Sequence, residues 1–187
     1  MARPAPVVTP LELPWTDADA VAPALRPAGL WSWLVDRGSL TQRLRARAGS
    51  GFALQVLAEQ REALRRGDAQ RLGVAPEQPA LIREVRLDVD GRAAIHAVTV
   101  VPEVTRVALP MLAALGARPL GDALFERSDA ERGPFEVACL AAAHPLAARA
   151  WAAAGETRAR CWARRSVVRV GAHPLLIHEC FLAEWEW

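Results

Sequence analysis

The sequence predicts an α+β domain, an antiparallel β-sheet with helices packed on it, and three observations carry that expectation. The stretch LIREVRLDVDG at 81–91 alternates along a strand and ends in Asp90-Gly91, a strong hairpin signal, and AAIHAVTVVP answers it as the return strand. The same grammar recurs near the C-terminus, where SVVRV and PLLIHECFL flank the turn-like Gly171-Ala172-His173-Pro174. Between the two hairpins, residues 103–127 change to helical spacing.

The elements follow in chain order. Residues 1–28 are proline-rich and aperiodic, and read as an irregular lead-in that wraps the body or stays mobile, ahead of a single domain over 29–187. Asp36 or Ser39 is placed to cap a helix that ends at Gly49, with Leu30, Trp31, Leu34, Leu40 and Leu44 available for its inner side. Phe52, Leu54, Val56 and Ala58 alternate and favour a strand. In the first hairpin a two-residue turn sets Val85 opposite His96 and Arg83 opposite Val98. Val107, Met111, Leu112 and Leu115 then predict a helix to Gly116, and a second begins near Pro119; such a pair either packs on the sheet or serves as a lid. The last strand is apolar on both faces and is expected at the centre of the sheet.

Composition excludes several classes. The chain has 187 residues, is 52% hydrophobic and 24% charged, and carries a net charge of only +2, the profile of an ordinary globular domain. All its basic side chains except histidine are arginine, yet no basic run interleaved with aromatics or zinc-finger spacing points to nucleic acid. No apolar run reaches membrane-spanning length, and the N-terminus lacks the apolar stretch of a signal peptide, so a cytoplasmic location is expected. Cys139, Cys161 and Cys180 are widely spaced and read as buried free thiols. The four histidines form no metal-binding pattern, and no GxSxG, phosphate-binding loop or dinucleotide fingerprint occurs, so neither metal nor cofactor is expected.

Two charges break the pattern. Leu81, Arg83, Val85, Leu87 and Val89 share one face of their strand, and only Arg83 is not apolar; Glu179 shares a face with Leu175, Ile177 and Phe181. An arginine cannot shed its charge, so burying it calls for an anion. Two readings stay open: Arg83 and Glu179 pair with each other, or they mark the cationic and hydrogen-bond-accepting ends of an apolar cavity for a small, flat organic acid with a distal hydroxyl. His96, on the inferred Arg83 face, reads first as a satisfied core histidine and otherwise as a polar residue lining the cavity. Either Arg164 or Arg165 turns inward, since neighbours in a strand face opposite ways.

GSLTQRL, LIREVRLDVDG followed by TVVP, LGARPLGDALF, CWARRS and PLLIHECFL, in that order over residues 30–182, resemble the chorismate lyase family. The resemblance implies a ligand enclosed beneath helical flaps and the conversion of chorismate to 4-hydroxybenzoate and pyruvate, the step supplying the ubiquinone ring, without metal or cofactor. It implies that Arg83 binds the ring carboxylate, that Glu179 lies at the hydroxyl end and assists catalysis there, and that Leu120 and Leu40 contact the ligand. Chorismate and 4-hydroxybenzoate are the partners expected, with the protein a monomer. Three departures stand out: Val98 replaces an arginine that members of the family can carry just before TVVP, residues 139–160 are long and alanine-rich, and the lead-in is long. A related fold serves as the effector domain of bacterial transcription regulators, so a non-catalytic aromatic-acid sensor is the rival expectation. The short proline-rich lead-in argues against an attached DNA-binding domain.

Overall fold

A computed structural model describes residues 13–182 apart from 113 and 126, so the first part of the proline-rich lead-in lies outside the described residues. The described chain runs β1 (Leu13–Asp17), α1 (Trp31–Leu34), α2 (Leu40–Ala48), β2 (Phe52–Ala63), α3 (Arg66–Leu72), β3 (Pro79–Val89) and β4 (Arg92–Pro102). It continues through α4 (Glu103–Ala108), α5 (Leu120–Phe125), β5 (Ala130–Arg132), β6 (Glu136–Ala141), α6 (Pro145–Ala154), β7 (Arg160–Val170) and β8 (His173–Phe181). The strands form one antiparallel sheet in the order β1-β6-β7-β8-β4-β3-β2, and β5 pairs with the far end of β7. The α+β expectation holds.

Burial explains the order. Every residue of β8 from Pro174 to Phe181 is buried, which its doubly apolar sequence requires, and the strand sits between β7 and β4. At one edge β2 is half-exposed and carries Glu59, Arg61 and Glu62, charges that discourage pairing with another chain. At the other edge β1 forms within the stretch expected to be irregular. Its Pro14 is tolerated because an edge strand has one side free of ladder bonds.

The first hairpin corrects the expected register. Asp90 and Gly91 form the two-residue turn, with φ of 50° and 75°, and Val89 faces Arg92. Between Leu87 and Asp88, however, the ladder shifts: Asp88 faces Ala93 but Leu87 faces Ile95, so Ala94 is an extra, bulged residue. Beyond the bulge Val85 faces Ala97 rather than His96, and Arg83 faces Thr99 rather than Val98. A slip of one residue exchanges faces. His96 therefore leaves the Arg83 side and lies with Val98 on the Glu84 side.

Helices cover both faces. Trp33 and Leu34 of α1 and Leu40 and Leu44 of α2 pack on Leu87, Ile95, Val137 and Phe181. Beside them Leu112, Leu115, Ala123 and Leu124 pack on Leu81, Val101, Leu175 and Ile177. On the opposite face Leu72 of α3 and Leu146, Ala150 and Trp151 of α6 cover Ile82, Val98, Val100 and Cys180. The alanine-rich stretch is thus mainly α6, started by His144 and Pro145 and ended at Gly155. The helix expected to run to Gly116 stops at Ala108, because Pro110 cannot continue it; Val107, expected inside, is 63% exposed. The C-terminal hairpin turns at Gly171-Ala172, so His173 and Pro174 already belong to β8. All three cysteines are buried, and none of them forms a disulfide.

Of the two candidate caps of α2, Ser39 is the one used: its Oγ accepts from the Gln42 amide at 3.2 Å. Ser39→Ala should cost about 1 kcal/mol and lower Tm by about 2–4 °C in thermal unfolding. An unchanged Tm would show that the cap contributes nothing.

Candidate active site

Cross-strand rows set the site. Glu59, Arg83, Thr99, Ile177 and Ser166 face one another across β2, β3, β4, β8 and β7, and the next row of the same face holds Val85, Ala97, Glu179 and Arg164. Arg83 and Glu179 are therefore two strands and one row apart on a single face.

They do not pair with each other. Glu179 Oε2 accepts from Arg164 Nε at 2.6 Å, and Arg164, 0% exposed, also donates through Nη1 to the carbonyls of Trp33 at 2.7 Å and Asp36 at 3.0 Å. Those carbonyls lie at and just beyond the C-terminal end of α1, where no intrahelical donor serves them. Burial alone would raise the pKa of the Glu179 carboxyl; Arg164 and Arg132 outweigh it and hold the group below the ordinary carboxylate range. Arg83 is differently placed. Its Nη2 donates to the Gly116 carbonyl at 2.6 Å, fastening the segment that leads into α5. Its Nη1 has Glu59 at 3.4 Å but no hydrogen bond. One prong of a buried guanidinium is left over.

Between these charges lies a cavity of about 50 Å³. Val85, Leu87, Ala97, Thr99 and Ile177 of the sheet line it, with Leu40 and Thr41 of α2 and Pro119, Leu120 and Gly121 at the start of α5. Arg83, Arg132 and Glu179 supply its charge. An ion pair at 2.6 Å, Arg45 to Asp122, joins α2 to α5 over it.

All four residues singled out in the sequence, Arg83, Glu179, Leu120 and Leu40, line this one cavity. His96 does not: the bulge sends it to the other face, where its Nε2 lies 3.1 Å from Glu84. Of the neighbouring arginines, Arg164 turns toward Glu179, and Arg165 pairs with Glu136 at 2.7 Å on the opposite side. Arg132, Thr41 and Thr99 were not legible beforehand. Thr99 was hidden by the bulge, and Arg132 stands in a strand of three residues, too short to show a period.

A larger hollow of about 270 Å³ opens on the opposite face, where several of the charged side chains are held in ion pairs. Arg149 meets Glu84 at 2.5 Å, Arg165 meets Glu136, and His178 lies 3.4 Å from Asp68. Among the described residues no cluster of three His, Cys, Asp or Glu is placed to hold a metal ion, and no helix is long and apolar enough to cross a membrane.

A family model described as "Chorismate lyase" matches residues 10–187. The chain is 43% identical over 155 residues to a "Probable chorismate pyruvate-lyase" of Ralstonia nicotianae, covering 80% of this chain and 79% of that protein. To a protein of the same description from Thiobacillus denitrificans it is 40% identical over 164 residues, covering 83% of each. Among solved structures, a GntR-family transcriptional regulator from Bacillus cereus superposes with a TM-score of 0.56 at 11% identity, covering 72% of this chain and 93% of that one. The effector domain of PhnF from Mycobacterium smegmatis gives 0.51 at 18% identity, covering 85% and 93%. At such identities these two share the fold alone.

The buried pair is testable by itself. Arg164→Met leaves Glu179 uncompensated and should cost about 3–5 kcal/mol in urea unfolding, whereas Arg164→Met with Glu179→Leu should recover most of the loss. Because the folded-state pKa of Glu179 is depressed, its contribution is present above the unfolded-state pKa and is lost as pH falls through the folded one. The double variant should therefore lose less stability than wild type on acidification below the ordinary carboxylate range; parallel losses would contradict the assignment.

Proposed function

The chain belongs to the chorismate lyase family and is a lyase, and we propose that it converts chorismate to 4-hydroxybenzoate and pyruvate in the cavity between Arg83 and Glu179. The observation that supports this reading best is that the two charges stand at separate ends of one apolar slot without neutralising each other. Arg83 offers to the ring carboxylate the prong that makes no hydrogen bond, a planar grip suited to that group. Glu179, kept anionic, accepts a hydrogen bond from the C4 hydroxyl. Leu40 and Leu120 press on the ring from the helices, with Val85, Ala97 and Ile177 beneath.

In the reaction the C3–O ether bond breaks, the ring loses its C4 hydrogen and becomes aromatic, and the departing enolpyruvyl group gains a proton at its methylene carbon to give pyruvate. Aromatisation drives the chemistry, which leaves the protein to orient the substrate and stabilise developing charge. Held ionised by Arg164, Glu179 keeps the C4 hydroxyl oriented as the adjacent C4 hydrogen is lost.

A volume of about 50 Å³ has room for only a few waters. Chorismate therefore reaches the slot when α2 and α5 part, and the Arg45–Asp122 pair closes them again. The product supplies the ubiquinone ring, and the enzyme works as a cytoplasmic monomer.

Incubation of the purified protein with chorismate should release pyruvate and 4-hydroxybenzoate in equal amounts, far above the spontaneous rate. Arg83→Ala should lower kcat/KM by roughly 2–5 kcal/mol, or about 30-fold to several thousand-fold. Absence of product from wild type would favour a binding domain of the same fold, and normal kinetics in Arg83→Ala would remove that residue from the site.

A further inference from the structure

Chorismate has two carboxylates, and the site as described so far meets one. The second belongs to the enolpyruvyl ether at C3, next to the C4 hydroxyl. With the ring carboxylate on Arg83 and the hydroxyl on Glu179, the second carboxylate falls beside Glu179, whose own negative charge repels it. A cation is required there.

Three positions compete for the role. Val98 faces the opposite side of the sheet, so no side chain at that position reaches the slot. Arg164 has Nε on Glu179 and Nη1 on two carbonyls; its Nη2 is unpartnered, but the side chain is fully enclosed and does not line the cavity. Arg132 does line it. It comes from β5, opposite Val168 of β7, on the face that carries Glu179.

Among the described residues Arg132 makes no direct ion pair, and Glu179 attracts it only from a distance across the cavity they both line. Its Nη1 donates to the Ser166 hydroxyl at 2.8 Å, its guanidinium lies 5.4 Å from the Phe135 ring centre, and Arg37 Nη2 fixes its backbone carbonyl at 2.8 Å. Ser166 and Arg83 end the row Arg83–Thr99–Ile177–Ser166, about 14 Å apart at three strand spacings. Arg132 further borders an outer hollow of about 240 Å³ with Leu124, Ala130, Val168 and Arg127, and Arg127 is already paired with Asp129 at 2.7 Å. The ring slot and a compartment for the enolpyruvyl arm thus meet at Arg132.

We propose that Arg132 binds the enolpyruvyl carboxylate of chorismate, and so distinguishes the two-carboxylate substrate from the one-carboxylate aromatic product. The inference rests on the lyase reading above. As the C3–O bond breaks, its electron pair moves onto the departing pyruvyl fragment, and a fixed guanidinium beside it lowers the barrier without exchanging a proton.

The test compares substrate with product. In Arg132→Gln, kcat/KM for chorismate should fall roughly 30-fold or more, while the Kd of 4-hydroxybenzoate, measured by calorimetry, should rise far less, because Arg164 still pairs with Glu179. Arg132→Lys should recover part of the loss. Arg83→Ala should weaken both ligands, which separates the two arginines. Should Arg132→Gln fail to fold, Ser166→Ala, which removes only the bond aiming the guanidinium, should show the same selective loss in smaller measure. Equal weakening of chorismate and product, or normal turnover by the variants, overturns the assignment to Arg132 and leaves the lyase reading intact. A wild-type protein that releases no pyruvate overturns the lyase reading itself, and Arg132 with it.

Discussion

The buried contact between Arg164 and Glu179 is the interaction on which the site depends. A carboxylate enclosed in an apolar slot would ordinarily take up a proton or draw the nearest cation onto itself. Arg164, a cross-strand neighbour on β7, meets that need from within the wall. Glu179 stays charged, and Arg83 is not pulled across the cavity. The same arginine binds the carbonyls of Trp33 and Asp36, so the strand carrying Glu179 is tied to the segment from which α2 descends over the ligand. Desolvating two ions offsets most of their attraction. The pair is better understood as fixing where charge may stand than as a large source of stability.

The two faces of the sheet treat their charges differently. On the α3–α6 side Glu84 serves both His96 and Arg149, and Glu136 serves Arg165 and Arg71, so these arginines meet fixed carboxylates. On the α2–α5 side Arg83 has a weak neighbour in Glu59, and Arg132 has a hydroxyl. What marks the ligand side is that Arg83, Arg132 and Glu179 line one cavity without pairing with one another. Because guanidinium remains protonated at any working pH, the positive charge of this slot is constant, and Glu179, the only carboxylate among the described residues that line it, is held ionised.

Much of this was legible from alternation. Arg83 and Glu179 stood out because each interrupts an apolar face, and Asp90-Gly91 and Ser39 are local signals whose chemistry does not depend on distant residues. The register beyond the hairpin was not legible, since Ala93 and Ala94 are both small and nothing in the sequence says which one bulges. That single residue decided whether His96 and Val98 or Ala97 and Thr99 joined Arg83. Arg132 was hidden for another reason: its place depends on pairing with β7, nearly forty residues later. β1 was obscured by a proline that an edge position tolerates, and the break after α4 by apolar spacing that carries on through Pro110.

A crystal structure of the protein with 4-hydroxybenzoate bound tests the central claim most directly, that one apolar slot has a fixed cationic end and a fixed anionic end. The ring carboxylate should sit on Arg83 Nη1 and the hydroxyl within hydrogen-bond distance of Glu179, with the Arg164–Glu179 contact retained and Leu40 and Leu120 against the ring. A ligand with its carboxylate toward Arg164, or one seated in the hollow beside His178 on the other face, would contradict it.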